Sequence, residues 1–407
     1  MARLTSMQVL SSGTLLFSAL ATTCVPDRSD GSGNDLAAPI VHDSAGVRIV
    51  DNGPAPASSW QVGTSPRFTL GWGVDEPTFT WIQSGRILPD GGAIVGDFTA
   101  GTIFWIGPAG SVLATWGRKG EGPGEYQALD AILLRGDSIL VSDGRLRRLT
   151  VLSFAGDVLA TRPLPGAFMH QASSFLTDGR LLLIPGDAYG AVSDTRPEWV
   201  FERQPIIAAS MDGGTIDTLA ELPHLRRWYG TRGASPGPVS VRGRAEGFLG
   251  GFGYSRADQP EVRWYDGAGR LLQIARWDEE AMPLTQDWRH RMAANLEESW
   301  RSAGAEEGFI AAQLAELQEG FARHDGPLPF WDSFDVDRQG NAWLREYALP
   351  GEPSTRWRVI TRDGVYVGWA DLPNVRSILD ITDSRILAVR ADSLDVPALV
   401  LLDLVKR

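Results

Sequence analysis

From about residue 80 onward, apolar and polar positions alternate in short runs, and each run is bounded by a turn carrying Gly or Asp. That period of two is the signature of half-buried β-strands. A first unit reads as a Pro-Asp-Gly-Gly turn at 89–92, strands at 93–97 and 102–106, a Pro-Ala-Gly turn at 108–110 and a strand at 111–116. A second unit repeats the grammar at 136–161, and the turn glycines Gly110 and Gly156 stand 46 positions apart. Further copies follow with longer loops, marked by Asp178-Gly179 with Asp212-Gly213-Gly214, by Gly247 with Gly267-Ala268-Gly269, by Gln339-Gly340 with Asp363-Gly364, and by Asp383-Ser384. A short apolar strand precedes each unit, as at 131–133 and 333–336. Four antiparallel strands repeated six times predict an all-β fold, a six-bladed β-propeller spanning 45–407.

A propeller ring must close, because an open blade exposes unpaired strand edges. The sixth unit lacks an outer strand, and Ala45-Gly46-Val47-Arg48 has the same turn-then-strand grammar as Ala109-Gly110-Ser111-Val112. Residues 46–50 are therefore expected to complete the last blade.

One interval breaks the β pattern. Trp288, Met292, Leu296 and Trp300 recur every four residues, and Ile310, Leu314, Leu317 and Phe321 form a second stripe. Helical spacing on both sides of Ser302-Ala303-Gly304 predicts an αα-hairpin over about 284–325, inserted between blades four and five.

The first 24 residues read as an export signal: Arg3, a moderately apolar run over 7–21, then small residues up to Cys24. That run is too short and too rich in Ser and Thr to span a bilayer stably. Leu20-Ala21-Thr22-Thr23-Cys24 is similar to a bacterial lipobox, which makes Cys24 the candidate lipidation site; cleavage nearby without lipidation is the alternative. Residues 25–44 are expected to be a flexible tether. The predicted location is the periplasm or the outer membrane.

Composition narrows the partners. The 407 residues carry 38 basic and 50 acidic side chains, a net charge of −12, which disfavours nucleic acid and leaves membrane contact to a lipid anchor. With one cysteine there is no disulfide framework and no multi-cysteine metal site. The five histidines show no metal-ligand spacing, and neither a nucleophile elbow nor a phosphate loop is present. Asp97 and Asp143 end equivalent strands, where they either line a cation site or cap the following turn; the cap is favoured.

The most distinctive segment is 117–126, GRKGEGPGEY. Its glycines and proline suit a tight loop, leaving Arg118, Glu121 and Glu125 to fix it by ion pairing, as a clasp between blades or as a ligand loop. This segment, with the layout of 41–52 and the first blades, resembles the signature of bacterial NHL-like six-bladed β-propellers. The resemblance implies an exported, often lipid-anchored protein and says little about activity.

By this register 117–126, the stretch around His170, 224–229 and the helical hairpin all return over one face of the ring. Arg118, Glu121, Glu125, His170, Arg226, Arg227, Trp228 and His290 are thus candidate ligand-binding residues. The expected function is a monomeric envelope module that binds a small molecule, a glycan or an envelope protein, with no catalytic residue and no cofactor assigned. The alternative is a calcium-dependent lactonase-like or quinoprotein-like enzyme using the central channel. That alternative needs convergent Asp, Glu and Asn ligands, and of the five asparagines only Asn341 starts a strand.

Overall fold

The computed structural model describes residues 38–56, 60–166, 170–186, 198–230, 233–235, 237–349, 352, 354–392 and 394–406. The chain opens with β1 (Ile40–Ser44), β2 (Val47–Asp51), β3 (Trp60–Val62) and β4 (Phe68–Leu70). Blade one is β5 (Ile82–Ile87), β6 (Ala93–Asp97), β7 (Thr102–Ile106) and β8 (Val112–Trp116). Blade two is β9 (Leu129–Arg135), β10 (Ser138–Asp143), β11 (Arg148–Ser153) and β12 (Val158–Pro163). Blade three is β13 (His170–Phe175), β14 (Leu181–Pro185), β15 (Glu198–Ala209), β16 (Ile216–Gly230) and β17 (Gly233–Ser235). Blade four is β18 (Gly243–Phe248), β19 (Gly251–Arg256), β20 (Glu261–Asp266) and β21 (Leu271–Arg276). After α1 (Gln286–Ser302) and α2 (Glu307–Arg323), blade five is β22 (Trp331–Val336), β23 (Ala342–Glu346), β24 (Arg356–Ile360) and β25 (Tyr366–Asp371). Blade six is β26 (Val375–Ile381), β27 (Arg385–Ala391) and β28 (Pro397–Lys406).

Six antiparallel sheets thus make the ring the sequence pattern predicts. The innermost strands β5, β9, β13, β18, β22 and β26 line the channel, and neighbours from β26 through β5, β9, β13 and β18 to β22 touch. Apolar residues from facing sheets fill the gaps between blades. Trp343 and Trp357 of blade five, for example, pack on Ile386, Val400 and Leu402 of blade six. Each inner strand runs from the loop that returns from the preceding blade to a tight turn into its own second strand. The ring therefore has a return face and a turn face.

Ring closure uses N-terminal residues, but not 46–50. The hairpin turn at Ala45 and Gly46 forms as its sequence suggests, both residues having positive φ (51° and 80°). Strand β2 then lies parallel to β21, at the outer edge of blade four, with β1 outside it. Asn52 locks it there: its side chain donates to the carbonyls of Arg276 and Gly364 (both 2.9 Å) and accepts from the Tyr366 amide (2.9 Å). Blade six is completed by β3 and β4, which pair with β28. Three-residue strands separated by a five-residue break show no readable alternation, so the more regular 46–50 stood out in their place. Strand β1 also begins inside the segment expected as tether.

The helical hairpin lies between blades four and five, as expected. The Thr285 hydroxyl caps α1 by accepting the Trp288 amide (3.3 Å), and Gly304 (φ 78°) ends the connection. Met292, Leu317 and Phe321 are buried against Val239 before β18 and Leu349 after β23, so the hairpin covers return-face loops of blades three and five. Among the described residues no helix is long and apolar enough to cross a membrane.

Candidate functional site

At the turn end of the channel lies a cavity of about 410 Å3, to which inner strands of all six blades contribute. Its apolar wall includes Leu134, Phe175, Phe248 and Ile378; its polar groups include Arg86, Glu246, Asp335, Arg338 and Asp380. Bulges in five of the six inner strands, such as those between Ile82 and Ser84 and between Ile378 and Asp380, shift the alternation and so change which side chains face the channel. Gly247 allows blades three and four to meet here: a Cβ at this position would stand 2.5 Å from the Ser174 hydroxyl. Its amide donates to the Ser173 hydroxyl (2.8 Å), which donates in turn to the Glu246 carboxylate (3.2 Å).

The charged groups divide into two sets. Asp380 is committed: it accepts from the Ile87 amide (2.8 Å) and from Arg338 Nε (3.1 Å), while Arg338 also donates to the Ile87 carbonyl (2.7 Å). These contacts bind blades five, six and one together. Arg86, Glu246 and Asp335 make no ion pair among the described residues. Arg86 spans the channel and meets only carbonyls, those of Gly85 (2.8 Å), Leu379 (3.1 Å) and Ser173 (3.4 Å). Glu246 is met by the Ser173 hydroxyl, and Asp335 by that of Ser333 (3.2 Å).

Burial dominates their protonation. Desolvation lifts the Glu246 carboxyl to about 7, with the Asp335 charge adding to the rise and Arg244 and Arg86 opposing it. Asp335 is pushed up to about 6 by burial against the opposing pull of Arg244. Desolvation lowers the Arg86 guanidinium from its ordinary value, while Asp380 and Glu246 favour its charged form and Arg338 opposes it. Three ionisable side chains without ionic partners, enclosed in one cavity, can hydrogen-bond or pair with a small polar ligand and exchange a proton near neutral pH.

The candidates named from sequence fall into separate groups on the return side. Arg118 pairs with Glu125 (2.6 Å), whose carboxylate also accepts the amides of Glu121 (3.1 Å) and Gly122 (2.8 Å). Glu121 makes no ion pair there: its carboxylate accepts from the Gln127 amide group (2.6 Å). Arg148 of β11 donates to the carbonyls of Glu121 (2.8 Å) and Glu125, so the loop is clasped onto blade two. Arg226 pairs with Asp325 (2.7 Å) and lies 5.0 Å over the Trp199 ring, and Trp199 packs 5.6 Å from Trp228. The Trp199 indole donates to the Arg323 carbonyl (2.8 Å), which fastens the end of α2 to the extended hairpin of β15 and β16. Arg227 is buried 3.3 Å from the Glu202 carboxylate. His170 is buried with its Nε2 2.9 Å from the Pro205 carbonyl, and His290 is exposed on α1 beside Gln286 (2.8 Å). Arg226, Arg227 and Trp228 are thus brought together, the loop residues make a second group, and the two histidines belong to neither. Cys24 lies outside the described residues.

Asp97 and Asp143 cap their turns. Asp143 accepts the amides of Gln127 (2.6 Å), Arg145 (3.0 Å) and Leu146 (2.8 Å), and Asp97 accepts those of Thr80 (2.6 Å), Thr99 (3.0 Å) and Ala100 (2.9 Å). Among the described residues no three His, Cys, Asp or Glu side chains are grouped to hold a metal.

Sequence reasoning missed Arg86, Glu246 and Asp335. The available signal was a charged residue near the end of five of the six innermost strands, where a wholly packed strand would be apolar.

No protein-family pattern matches the chain, and no curated protein matches it in sequence. Solved structures do. A Bacteroides fragilis protein named for inferred export superposes with a TM-score of 0.50 at 11% identity, covering 88% of this chain and 99% of that one. A member of the DUF4221 family from Bacteroides vulgatus gives 0.48 at 9% identity over 86% and 99%, and virginiamycin B lyase from Staphylococcus aureus gives 0.41 at 10% over 83% and 97%. At these identities the likeness is one of fold, a six-bladed propeller.

Proposed function

We propose that this chain is an exported cell-envelope propeller of the NHL-like kind, anchored through Cys24, that binds a small polar ligand at the turn end of its channel. The GRKGEGPGEY loop, the lipobox-like segment and the inferred export of the Bacteroides fragilis propeller support the envelope part of this reading. The binding part rests on one observation: Arg86, Glu246 and Asp335 face a single cavity and make no ion pair among the described residues. Partly buried charges in that state carry a desolvation cost, and a ligand that pairs with them offsets part of it. Binding is favoured over calcium-assisted chemistry because, among the described residues, no three His, Cys, Asp or Glu side chains are grouped as a metal site requires.

A thermal-shift screen of the mature protein against sugars, organic acids, amino compounds and divalent metals tests the reading. Compounds are expected that stabilise the wild-type protein but not the Arg86→Leu variant, since only ligands of the folded state shift its melting. If every stabilising compound acts equally on that variant, the channel reading fails. Intact-mass analysis of membrane-extracted protein should show an acylated Cys24 as the first residue; an unmodified chain starting elsewhere would end the anchoring.

A further inference from the structure

We propose that the cavity takes a small zwitterion of the amino-acid type, its carboxylate on Arg86 and its ammonium group between Glu246 and Asp335. The inference rests on the channel-binding reading and adds the ligand class. Arg86 is the cation left for an anionic group, because Arg338 is already held by Asp380 and the Ile87 carbonyl. Glu246 and Asp335 stand on inner strands that touch, β18 and β22, and both line the cavity.

Charge matching separates the ligand classes. A dicarboxylate satisfies Arg86 but brings a second negative charge to two carboxylates. A diamine satisfies the carboxylates and repels Arg86. A neutral sugar offers hydrogen bonds but adds no ion pair to any of the three groups. A zwitterion answers both signs at once. The volume of about 410 Å3 is near the small end of ligand pockets, roughly 300–1,000 Å3, and the apolar wall of Leu134, Phe175, Phe248 and Ile378 suits an aliphatic or aromatic side chain.

Proton linkage gives a second signature. The groups facing Glu246 are Asp335, Arg244, Arg86 and the Ser173 hydroxyl; those facing Asp335 are Arg244, Arg345 and the Ser333 hydroxyl. An ammonium group favours the ionised carboxylates, so binding below about pH 7 releases protons and affinity rises with pH from about 5 to 8.

Titration calorimetry on the mature wild-type chain decides the matter, using the L-amino acids singly and then the N-acetyl and amide derivatives of the tightest binder. The N-acetyl compound keeps the carboxylate without the cation, and the amide keeps the cation without the carboxylate. Each is expected to bind at least tenfold more weakly than the parent, and the measured heat should depend on the buffer's ionisation enthalpy at pH 6. Glu246→Gln should weaken the parent and the amide while leaving the N-acetyl compound nearly unchanged. Derivatives that bind as well as the parent, or no binding by any amino acid, overturn the zwitterion. In the second case, an Arg86-dependent hit of another class in the thermal-shift screen keeps the channel reading alone.

Discussion

The two faces of the ring treat charge in opposite ways. On the return face the charged and aromatic groups are bound to one another: Arg118 to Glu125, Arg226 to Asp325 and Trp199, and Asp143 to three backbone amides. At the turn face the loops are short and plain, yet Arg86, Glu246 and Asp335 stand without ionic partners around a cavity. The most distinctive sequence therefore marks scaffold, while the chemically available groups sit on ordinary-looking inner strands. In a propeller the outer loops must be fixed individually, whereas the channel is assembled from six segments separated in sequence.

Three measurements sharpen or break this contrast. The largest effect is expected on the return face. Asp143→Ala leaves three turn amides without their acceptor and should cost about 3–5 kcal/mol in denaturant unfolding, with no change in ligand affinity. A small loss, or a loss of binding, would mean that this face is not purely structural.

The second effect is pH-dependent and belongs to the channel. The Glu246 carboxyl is raised to about 7 in the folded protein from an ordinary 4.5, so the folded state holds its proton more tightly than the unfolded chain. The stability this contributes is full below about pH 4.5 and is lost as pH rises through about 7. Glu246→Gln removes that loss. Its stability difference from wild type should move in its favour by on the order of 2 kcal/mol between pH 4.5 and pH 8. Parallel stability curves for the two proteins would show that Glu246 titrates normally.

The smallest effect is at the foot of the helices. Arg226→Ala removes a partly exposed ion pair and a stacking contact, and about 1 kcal/mol or less is expected. Hydrogen exchange should nevertheless rise in α2 and not in the blades. Uniform destabilisation would show that the hairpin is integral to the ring.

Much of the fold was legible because its signals are local. The turns at Gly110, Gly156 and Gly340 mark strand ends, with φ of 87°, 88° and 91°, and the spacing from Trp288 to Phe321 marks two helices. What failed was pairing between distant segments. The grammar of 46–50 identified a strand correctly and assigned it to the wrong blade, because nothing local distinguishes an outer edge of blade four from one of blade six. The channel groups escaped notice for a related reason. Arg86, Glu246 and Asp335, 89 to 249 positions apart, acquire meaning only when their strands face one channel, whereas Arg118 and Glu125 attract notice through their neighbours.

The way blade six is completed sets the order in which the molecule can form. Its third strand, β28, ends at Lys406, and its fourth is supplied by β3 and β4, which start at Trp60. Hydrogen bonds such as Arg67 amide to Leu401 carbonyl (2.7 Å) join parts of the chain that stand 334 positions apart in sequence. Blades one to five can assemble progressively, but the ring cannot shut until the last strand leaves the ribosome. Until then, β3 and β4 and the apolar flank of blade one remain uncovered, and the closing step carries the entropy of the longest loop in the protein. A chain cut short by even a few C-terminal residues should therefore resemble an unclosed ring with open edges, prone to joining its neighbours, more than a slightly weakened propeller.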